Sequence, residues 1–244
     1  MDWSDQGIVL TRRHHGEAAA IVTLLTREHG RHAGLLRGGG GKRAAALYQP
    51  GNLLEARWRG RLSEHLGMFS AEISQSFAAR ALDDAMRLGG VAAACAVLEA
   101  TLPEREPHTA LFDATLALLQ AIDNTPDSVA WGAEYVRWEC CCLGELGFGL
   151  DLESCAVTGE RDDLAFVSPR TGRAVSVAAG KPYADRLFAL PGFLQGAAAP
   201  APGDVAEGLR LTGHFLERHV LSPHGRRVPA ARTRFVERWR RGKA

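Results

Sequence analysis

The stretch GIVLTRRHHGEAAAIVTLLTREHGRHAGLLRGG, residues 7–39, decides the fold because it predicts three short strands in succession. Turn signals at His15-Gly16, His29-Gly30 and residues 38–41 end the three runs. Two further runs, NLLEARWRGR (52–61) and HLGMFSAEIS (65–74), complete the set. Five strands in about 70 residues, with the longest connection between the third and the fourth, predict a small closed barrel of the OB type.

The pattern changes to helical after about residue 76. Residues 76–104, 108–123 and 127–147 carry apolar residues at spacings of three and four, and Gly147 suits a helix C-terminus. Further helices are predicted at roughly 182–191, 203–221 and 228–241, with a loose loop at QGAAAPAPGD, residues 195–204. The predicted fold class is therefore α+β, with an OB domain over 1–78 and an α-helical domain over 79–244.

One segment of the helical domain has the outline of a zinc ribbon. Residues 151–180 contain a cysteine turn, a short strand pair and SPRTGRA, but Cys155 is the one ligand present. Thr158, Ser176 and Ala179 occupy the other three ligand positions, whereas structural zinc needs four Cys or His ligands. The sequence therefore predicts a degenerate zinc-ribbon-like insertion without a metal, and no cofactor.

Charge is segregated along a chain whose net charge is only +1. Residues 1–78 carry a net +3, residues 79–150 a net −7 and residues 151–244 a net +5. Such segregation suggests a polyanionic partner, although charge asymmetry between domains also arises without one. There is no run of 18 apolar residues, the first residues are acidic, and Cys140, Cys141 and Cys142 are adjacent within a helical stretch. We expect a soluble cytoplasmic protein with reduced thiols and no membrane partner.

The glycine-rich stretch LLRGGGGKRAAALYQPG, residues 35–51, does not fit a nucleotide cradle. In a P-loop register Leu36 would replace the first glycine and Arg43 the hydroxyl residue that holds magnesium. The stretch then is a basic connector that carries Lys42 and Arg43 to a nucleic-acid backbone, or a surface loop with nothing bound. Tyr48 beside it is a candidate for base stacking or for the core.

Strand phase separates core residues from exposed cations. In the fourth strand, period-two alternation puts Leu54, Ala56 and Trp58 on one face and Arg57 and Arg59 on the other, so Trp58 is expected in the core. The cations near strand ends and loops are the candidate phosphate contacts: Arg12, Arg13, Arg27, Arg31, Arg37, Lys42, Arg43, Arg57 and Arg59.

The sequence resembles the RecO family of bacterial DNA repair and recombination mediators. The resemblance rests on DQGIVLTRRHHGEAAAIVTLLTREHGRHAGLLRGG (5–39), YQPGNLLEARWRG (48–60), LGELGFGLDLESCAVTG (143–159) and LAFVSPRTGRAVS (164–176). It implies an OB barrel joined to a helical domain with a zinc or degenerate zinc module. It also implies a non-enzymatic mediator that binds single- and double-stranded DNA and anneals complementary strands. Such a mediator engages RecR and contacts the acidic C-terminal tail of the single-stranded-DNA-binding protein, so that RecA can load.

Several assignments stay open at this point. The acidic partner tail should need an apolar pocket beside a cation, for which Arg137 is a candidate, although a solvated helix charge is the alternative. The basic C-terminal segment with Phe235 and Trp239 either docks on the bundle, contacts DNA or frays. An RNA-binding OB protein and a nucleic-acid-processing enzyme are competing classes. The strands lack the cold-shock-like aromatic strip expected of the RNA-binding class. The histidines at the strand ends are not accompanied by the general acid–base pair expected of an enzyme.

Overall fold

The computed structural model describes residues 1–16, 18–62, 65–196 and 199–241. The chain forms two compact units, Met1–Asn124 and Thr125–Ala244, here called the barrel unit and the helical unit. The first of these units extends past residue 78 and includes the helices that directly follow the barrel. The predicted domain boundary after residue 78 stays a prediction. Within the described ranges, no helix is long and apolar enough to cross a membrane.

Five strands close into a barrel in the first unit. They are β1 (Asp2–His15), β2 (Ala19–Thr26), β3 (Gly30–Arg37), β4 (Leu53–Arg59) and β5 (Met68–Gln75). Their order around the barrel is β1-β2-β3-β5-β4, and β4 closes it by pairing antiparallel with β1. The connection from β3 to β4 carries the short helix α1 (Lys42–Leu47). This arrangement confirms the predicted OB barrel.

The barrel interior is filled by apolar side chains from all five strands and from the α1 connection. The buried cluster comprises Val9, Val22, Leu24, Leu36, Tyr48, Leu54, Ala56, Trp58 and Phe69. The predicted phase of β4 is confirmed, because Leu54, Ala56 and Trp58 are buried while Arg57 and Arg59 are exposed. Tyr48 packs in the core, where burial raises the pKa of its hydroxyl.

Three helices follow the barrel within the first unit: α2 (Phe77–Arg80), α3 (Ala85–Thr101) and α4 (Thr109–Asn124). The Asp84 carboxylate begins α3 by accepting hydrogen bonds from the amides of Met86 and Arg87. β1 has a bulge between Val9 and Thr11, and the residues just before it are buried on both faces of the strand. One face fills the barrel and the other packs against α3.

The helical unit begins with α5 (Ser128–Glu145), and Gly147 follows it with φ +83°, which confirms its role at the helix C-terminus. A small sheet comes next, in the order β7-β6-β8, from β6 (Leu164–Val167), β7 (Ala174–Ser176) and β8 (Phe188–Ala189). The short helix α6 (Val177–Gly180) follows β7.

The predicted helix over 182–191 is wrong. Lys181–Arg186 forms a 3-10 helix with Pro182 in its first turn, and the chain then enters β8. Phe188 pairs with Val167 in the small sheet, so residues that were predicted to be helical form a strand. Tertiary pairing thus overrides a short local pattern.

The last two helices confirm their predicted positions. They are α7 (Pro202–Phe215), continued by a π-helical turn over Leu216–Leu221, and α8 (Ala230–Arg240). Ala197 and Ala198 of the predicted loop before α7 lie outside the described residues.

The C-terminal helix α8 docks on its own unit. Arg232, Phe235 and Trp239 are buried, and the Arg232 guanidinium donates two hydrogen bonds of 2.6 and 2.7 Å to the Glu139 carboxylate of α5. The docking alternative is therefore confirmed for α8.

The ligand positions of the predicted zinc-ribbon-like insertion partly converge. Cys155 Sγ accepts a hydrogen bond from the Ser176 amide at 3.3 Å and lies 3.5 Å from the Ser176 hydroxyl. Burial opposes ionisation, but hydrogen bonds from Ser176 and Thr158 lower the pKa of the Cys155 thiol to about 6. In the described part of the chain, no group of three or more His, Cys, Asp or Glu side chains could hold a metal. The insertion's ribbon character stays a prediction.

Candidate nucleic-acid interface

The nine predicted cations all lie in the barrel unit, and they fall into four groups according to the residues that they contact. Three are paired with acids of the following helical segment, one ties down the glycine-rich loop, three line a cleft and two stand on α1. Their partners decide which of them have a guanidinium or ammonium group available to a phosphate.

Arg13, Arg27 and Arg31 are held by groups that follow the barrel in the chain. The Arg13 guanidinium lies 3.0 Å from the Glu99 carboxylate, and that of Arg27 lies 2.9 Å from Asp113. The Arg31 side chain is only 13% exposed and donates to a main-chain carbonyl at 2.8 Å. Displacing Arg13 would leave the Glu99 carboxylate, which is only 18% exposed, unpaired, and Arg27 has a second acid, Glu28, at 3.8 Å. These three cations are therefore the less available ones.

The glycine-rich loop is anchored to the barrel. Arg12 donates a hydrogen bond to the Gly39 carbonyl, and Gly38 adopts φ +68°, which favours glycine. A Cβ atom at Gly39 would lie 2.8 Å from the Ala20 Cβ, so the loop packs directly on β2. The loop therefore fixes the position of the residues that follow it.

Lys42 and Arg43 are the first two residues of α1, and both are exposed. Among the described residues, neither side chain has an ion-pair or hydrogen-bond partner. Their charges remain available to a phosphate, although α1 itself, at six residues, is too short to contribute a helix dipole of consequence.

Three arginines line a cleft on the barrel surface, here called the arginine cleft. Its volume is about 370 Å³ and its lining consists of Arg37, Arg57, Arg59, Met68, Phe69 and Ser70. The cleft exists because β3 pairs with β5 at Leu35 and Met68, which brings the end of β3 beside the β4–β5 hairpin. Residues 20 positions apart in the sequence thereby converge on one surface.

Asp2 is the acid that balances the arginine cleft. Its carboxylate lies 2.7 Å from the Arg57 guanidinium and 3.9 Å from that of Arg59. A hydrogen bond and the charge of Arg57 lower the pKa of Asp2. All three side chains are about half exposed or more, so solvent screens the pairs and a phosphate can compete for the guanidinium groups.

The neighbouring part of the sheet sets a limit to the basic surface. Glu55 lies two residues before Arg57 on β4 and opposite Glu72 of β5, and both acids line a depression that adjoins the cleft. A polyanion would be repelled from that side. The favourable direction from Arg57 is therefore toward Arg59 and Arg37.

One feature of the barrel unit was not predicted from the sequence, in which the histidines at the strand ends had no assigned role. His32 is buried, with 4% exposure, at one end of the barrel beside Trp3 and Trp58. The signal was available, because His32 is in phase with Gly30, Gly34 and Leu36, and that face of β3 points inward.

Arg137, the candidate for the partner tail, lies in the helical unit. Its guanidinium pairs with Glu134, donates to the Phe193 carbonyl at 2.9 Å and lies 5.2 Å from the centre of the Phe193 ring. The side chain remains 40% exposed. A cation over an aromatic ring is a suitable neighbour for an acidic, apolar peptide, and this role stays a prediction.

The closed five-stranded barrel followed by helices makes this an OB-fold protein with a helical C-terminal domain. Two family models match the chain in that order: Recombination protein O N terminal over residues 1–77 and Recombination protein O C terminal over residues 82–227. The chain belongs to the RecO family, whose members are named for recombination and DNA repair.

Full-length relatives support this assignment. A protein of Rhodospirillum centenum named DNA repair protein RecO is 54% identical over 243 residues, which cover 99% of this chain and 96% of the relative. The protein of the same name from Rhodospirillum rubrum is 54% identical over 250 residues, covering 100% and 98%. A protein of the same name from Cereibacter sphaeroides is 49% identical over 239 residues, which cover 97% of this chain and 98% of the relative.

Proposed function

We propose that this protein is a non-enzymatic recombination mediator that binds single- and double-stranded DNA and anneals complementary strands. With RecR, it helps load RecA onto single strands coated by the single-stranded-DNA-binding protein. The observation that carries the proposal is the arginine cleft, a surface of three exposed guanidinium groups on the OB barrel of a RecO-family chain.

Phosphates are the chemical group that the arginine cleft suits. A guanidinium group makes bidentate, charge-assisted hydrogen bonds to phosphate oxygens. Binding of this kind releases counterions, so the affinity falls steeply with salt and shows little sequence preference. A strand held by its backbone keeps its base edges free, which is what annealing to a complementary strand requires.

The first experiment compares two pairs of arginines that carry equal charge. Arg57→Gln with Arg59→Gln removes two guanidinium groups of the arginine cleft, whereas Arg13→Gln with Arg27→Gln removes two that are paired with helix carboxylates. Fluorescence anisotropy with a labelled single strand over a salt series measures affinity and salt slope. The cleft variant should bind about 10- to 100-fold more weakly, at about 1 kcal/mol or more per contact.

The salt slope makes the comparison specific. Loss of two phosphate contacts should lower the slope by about 1.4, since each contact to single-stranded DNA contributes about 0.7. The Arg13 and Arg27 variant should change neither quantity by a comparable amount. Equal losses in both variants would mean that net charge, and not the arginine cleft, drives binding.

A third variant tests the cations of α1. Lys42→Ala with Arg43→Ala should weaken binding and lower the slope if α1 extends the phosphate path. An unchanged affinity and slope would assign the glycine-rich loop and α1 to the barrel surface with nothing bound.

Annealing and substrate class test the wider proposal. The protein should accelerate annealing of complementary DNA strands, and the cleft variant should do so more slowly. A protein that neither binds nor anneals DNA at low salt is not a mediator. Preference for RNA would favour an RNA-binding OB protein, and turnover of a nucleotide or a phosphodiester would favour an enzyme.

The partner-tail assignment has its own test. Calorimetry with a peptide of the C-terminal tail of the single-stranded-DNA-binding protein should show binding that Arg137→Gln weakens, while RecR binding is unaffected. If the variant binds the peptide as the wild type does, the tail binds elsewhere and Arg137 only holds the Phe193 segment.

A further inference from the structure

One end of the barrel is an open cavity lined with aromatic rings, here called the aromatic mouth. Its volume is about 420 Å³, and its lining consists of Met1, Asp2, Trp3, Glu28, His29, His32, Trp58 and Arg105. Barrel mouths are frequent ligand sites because they combine a rigid wall with an apolar floor.

The rings of the aromatic mouth are arranged for stacking. Trp3 lies parallel to His29, with 4.0 Å between ring centres and 8° between planes, and nearly parallel to Trp58 at 5.7 Å and 14°. Asp5 fixes the His29 ring, since its carboxylate lies 2.9 Å from His29 Nδ1. The aromatic mouth thus holds its flat faces in a defined orientation.

His32 forms the floor and has unused hydrogen-bonding capacity. It is 4% exposed, and neither ring nitrogen has a hydrogen-bond partner in the described part of the chain. Burial, with a contribution from the positive charge of Arg105, lowers the pKa of His32 to about 4. The neutral ring has one N–H donor and one acceptor nitrogen, and a ligand with a polar edge would satisfy groups that are costly to leave unpaired.

The aromatic mouth adjoins the arginine cleft. Phe69 lines the cleft, and its ring centre lies 5.9 Å from that of Trp3 and 6.1 Å from that of His32. Trp58 stands between Arg57 and Arg59 on β4, opposite Trp3 of β1. The arginine cleft and the aromatic mouth therefore adjoin each other at one end of the barrel.

We propose that the aromatic mouth binds one unpaired nucleobase of a single strand whose backbone lies on the arginine cleft. This inference rests on the proposed DNA binding and adds a base-binding position to it. The base extends the ring stack that Trp3 forms with His29, and its polar edge exchanges hydrogen bonds with neutral His32. The other occupant of similar shape is an acidic peptide that ends in an aromatic side chain.

The test uses two probes with the same backbone charge. One is a single-stranded oligonucleotide that carries a 2-aminopurine base, and the other is an abasic deoxyribose-phosphate oligomer of equal length. The wild-type protein should bind the base-containing strand more tightly and should quench the 2-aminopurine fluorescence on binding.

Two variants separate stacking from packing. Trp3→Leu removes the stacking face, and should weaken binding of the base-containing strand about 5- to 100-fold and abolish the quenching. Trp3→Phe keeps a ring and should retain most of both effects. Neither variant should change binding of the abasic oligomer, because the arginine cleft is intact, and circular dichroism verifies the fold.

The outcomes distinguish this inference from the proposed function. If both probes bind equally and 2-aminopurine is not quenched, the aromatic mouth takes no base, while DNA binding by the cleft stands. If neither probe binds at low salt, the proposed function fails and the inference with it. If an acidic aromatic peptide displaces no DNA but binds the wild type and Trp3→Phe and not Trp3→Leu, the aromatic mouth is a peptide site and the inference is wrong.

Discussion

Replacing His32 with phenylalanine should remove a large part of the acid sensitivity of the barrel unit. The folded-state pKa of His32 is about 4, against an ordinary value of 6.5. Between these two values the unfolded chain binds a proton that the folded chain excludes, so stability is lost as the pH falls through that window. A difference of about 2.5 pKa units corresponds to about 3 kcal/mol between pH 7 and pH 4, at about 1.4 kcal/mol per unit.

Urea unfolding followed by tryptophan fluorescence at several pH values measures this loss. The wild type should lose about 3 kcal/mol more than His32→Phe between pH 7 and pH 4. Phenylalanine retains the ring contacts, and any offset in stability at pH 7 cancels in the comparison. His15→Phe, at the exposed end of β1, controls for removing a histidine as such. Equal acid sensitivity of wild type and His32→Phe would refute the reasoning, as would a His32 ring that titrates near pH 6.5 by NMR.

Two further predictions concern positions where the chain tolerates little change. Arg232→Leu should cost about 3–5 kcal/mol in thermal unfolding, because it leaves the fully buried Glu139 carboxylate unpaired; adding Glu139→Leu should restore most of the loss. Gly39→Ala should destabilise by about 1–3 kcal/mol, since its Cβ would lie 2.8 Å from the Ala20 side chain. Gly41→Ala is the matched control with no contact closer than 3.9 Å, and equal melting temperatures for the two alanine variants would contradict the packing argument.

The barrel could be predicted because its determinants are local. Period-two alternation and glycine turns mark each strand, and the long third connection fits the OB order of strands. The phase of β4 followed from the same alternation and correctly separated buried Trp58 from exposed Arg57 and Arg59. The prediction of a helix over 182–191 was wrong because the strand formed there pairs with Val167, about 20 residues earlier in the chain. A partner at that distance is not visible in the local sequence pattern.

The division of the candidate cations could not be predicted. Arg13 and Arg27 are each 86 positions from the acids that hold them. The arginine cleft also depends on a contact between residues far apart in the sequence, the parallel pairing of Leu35 with Met68. A one-dimensional charge pattern locates basic segments, but only the fold decides which side chains meet an acid.

That division explains how a nearly neutral protein can present a surface for a polyanion. The barrel unit has 13 Lys/Arg against 14 Asp/Glu over residues 1–124, so its net charge of −1 does not itself attract DNA. The helical carboxylates take up Arg13 and Arg27, whereas Arg57 and Arg59 of the exposed cleft share the exposed carboxylate of Asp2. A phosphate on the arginine cleft contacts the guanidinium groups directly, and charges more than about a Debye length away are largely screened. The salt dependence of DNA binding should therefore follow the number of cleft arginines and not the net charge of the unit.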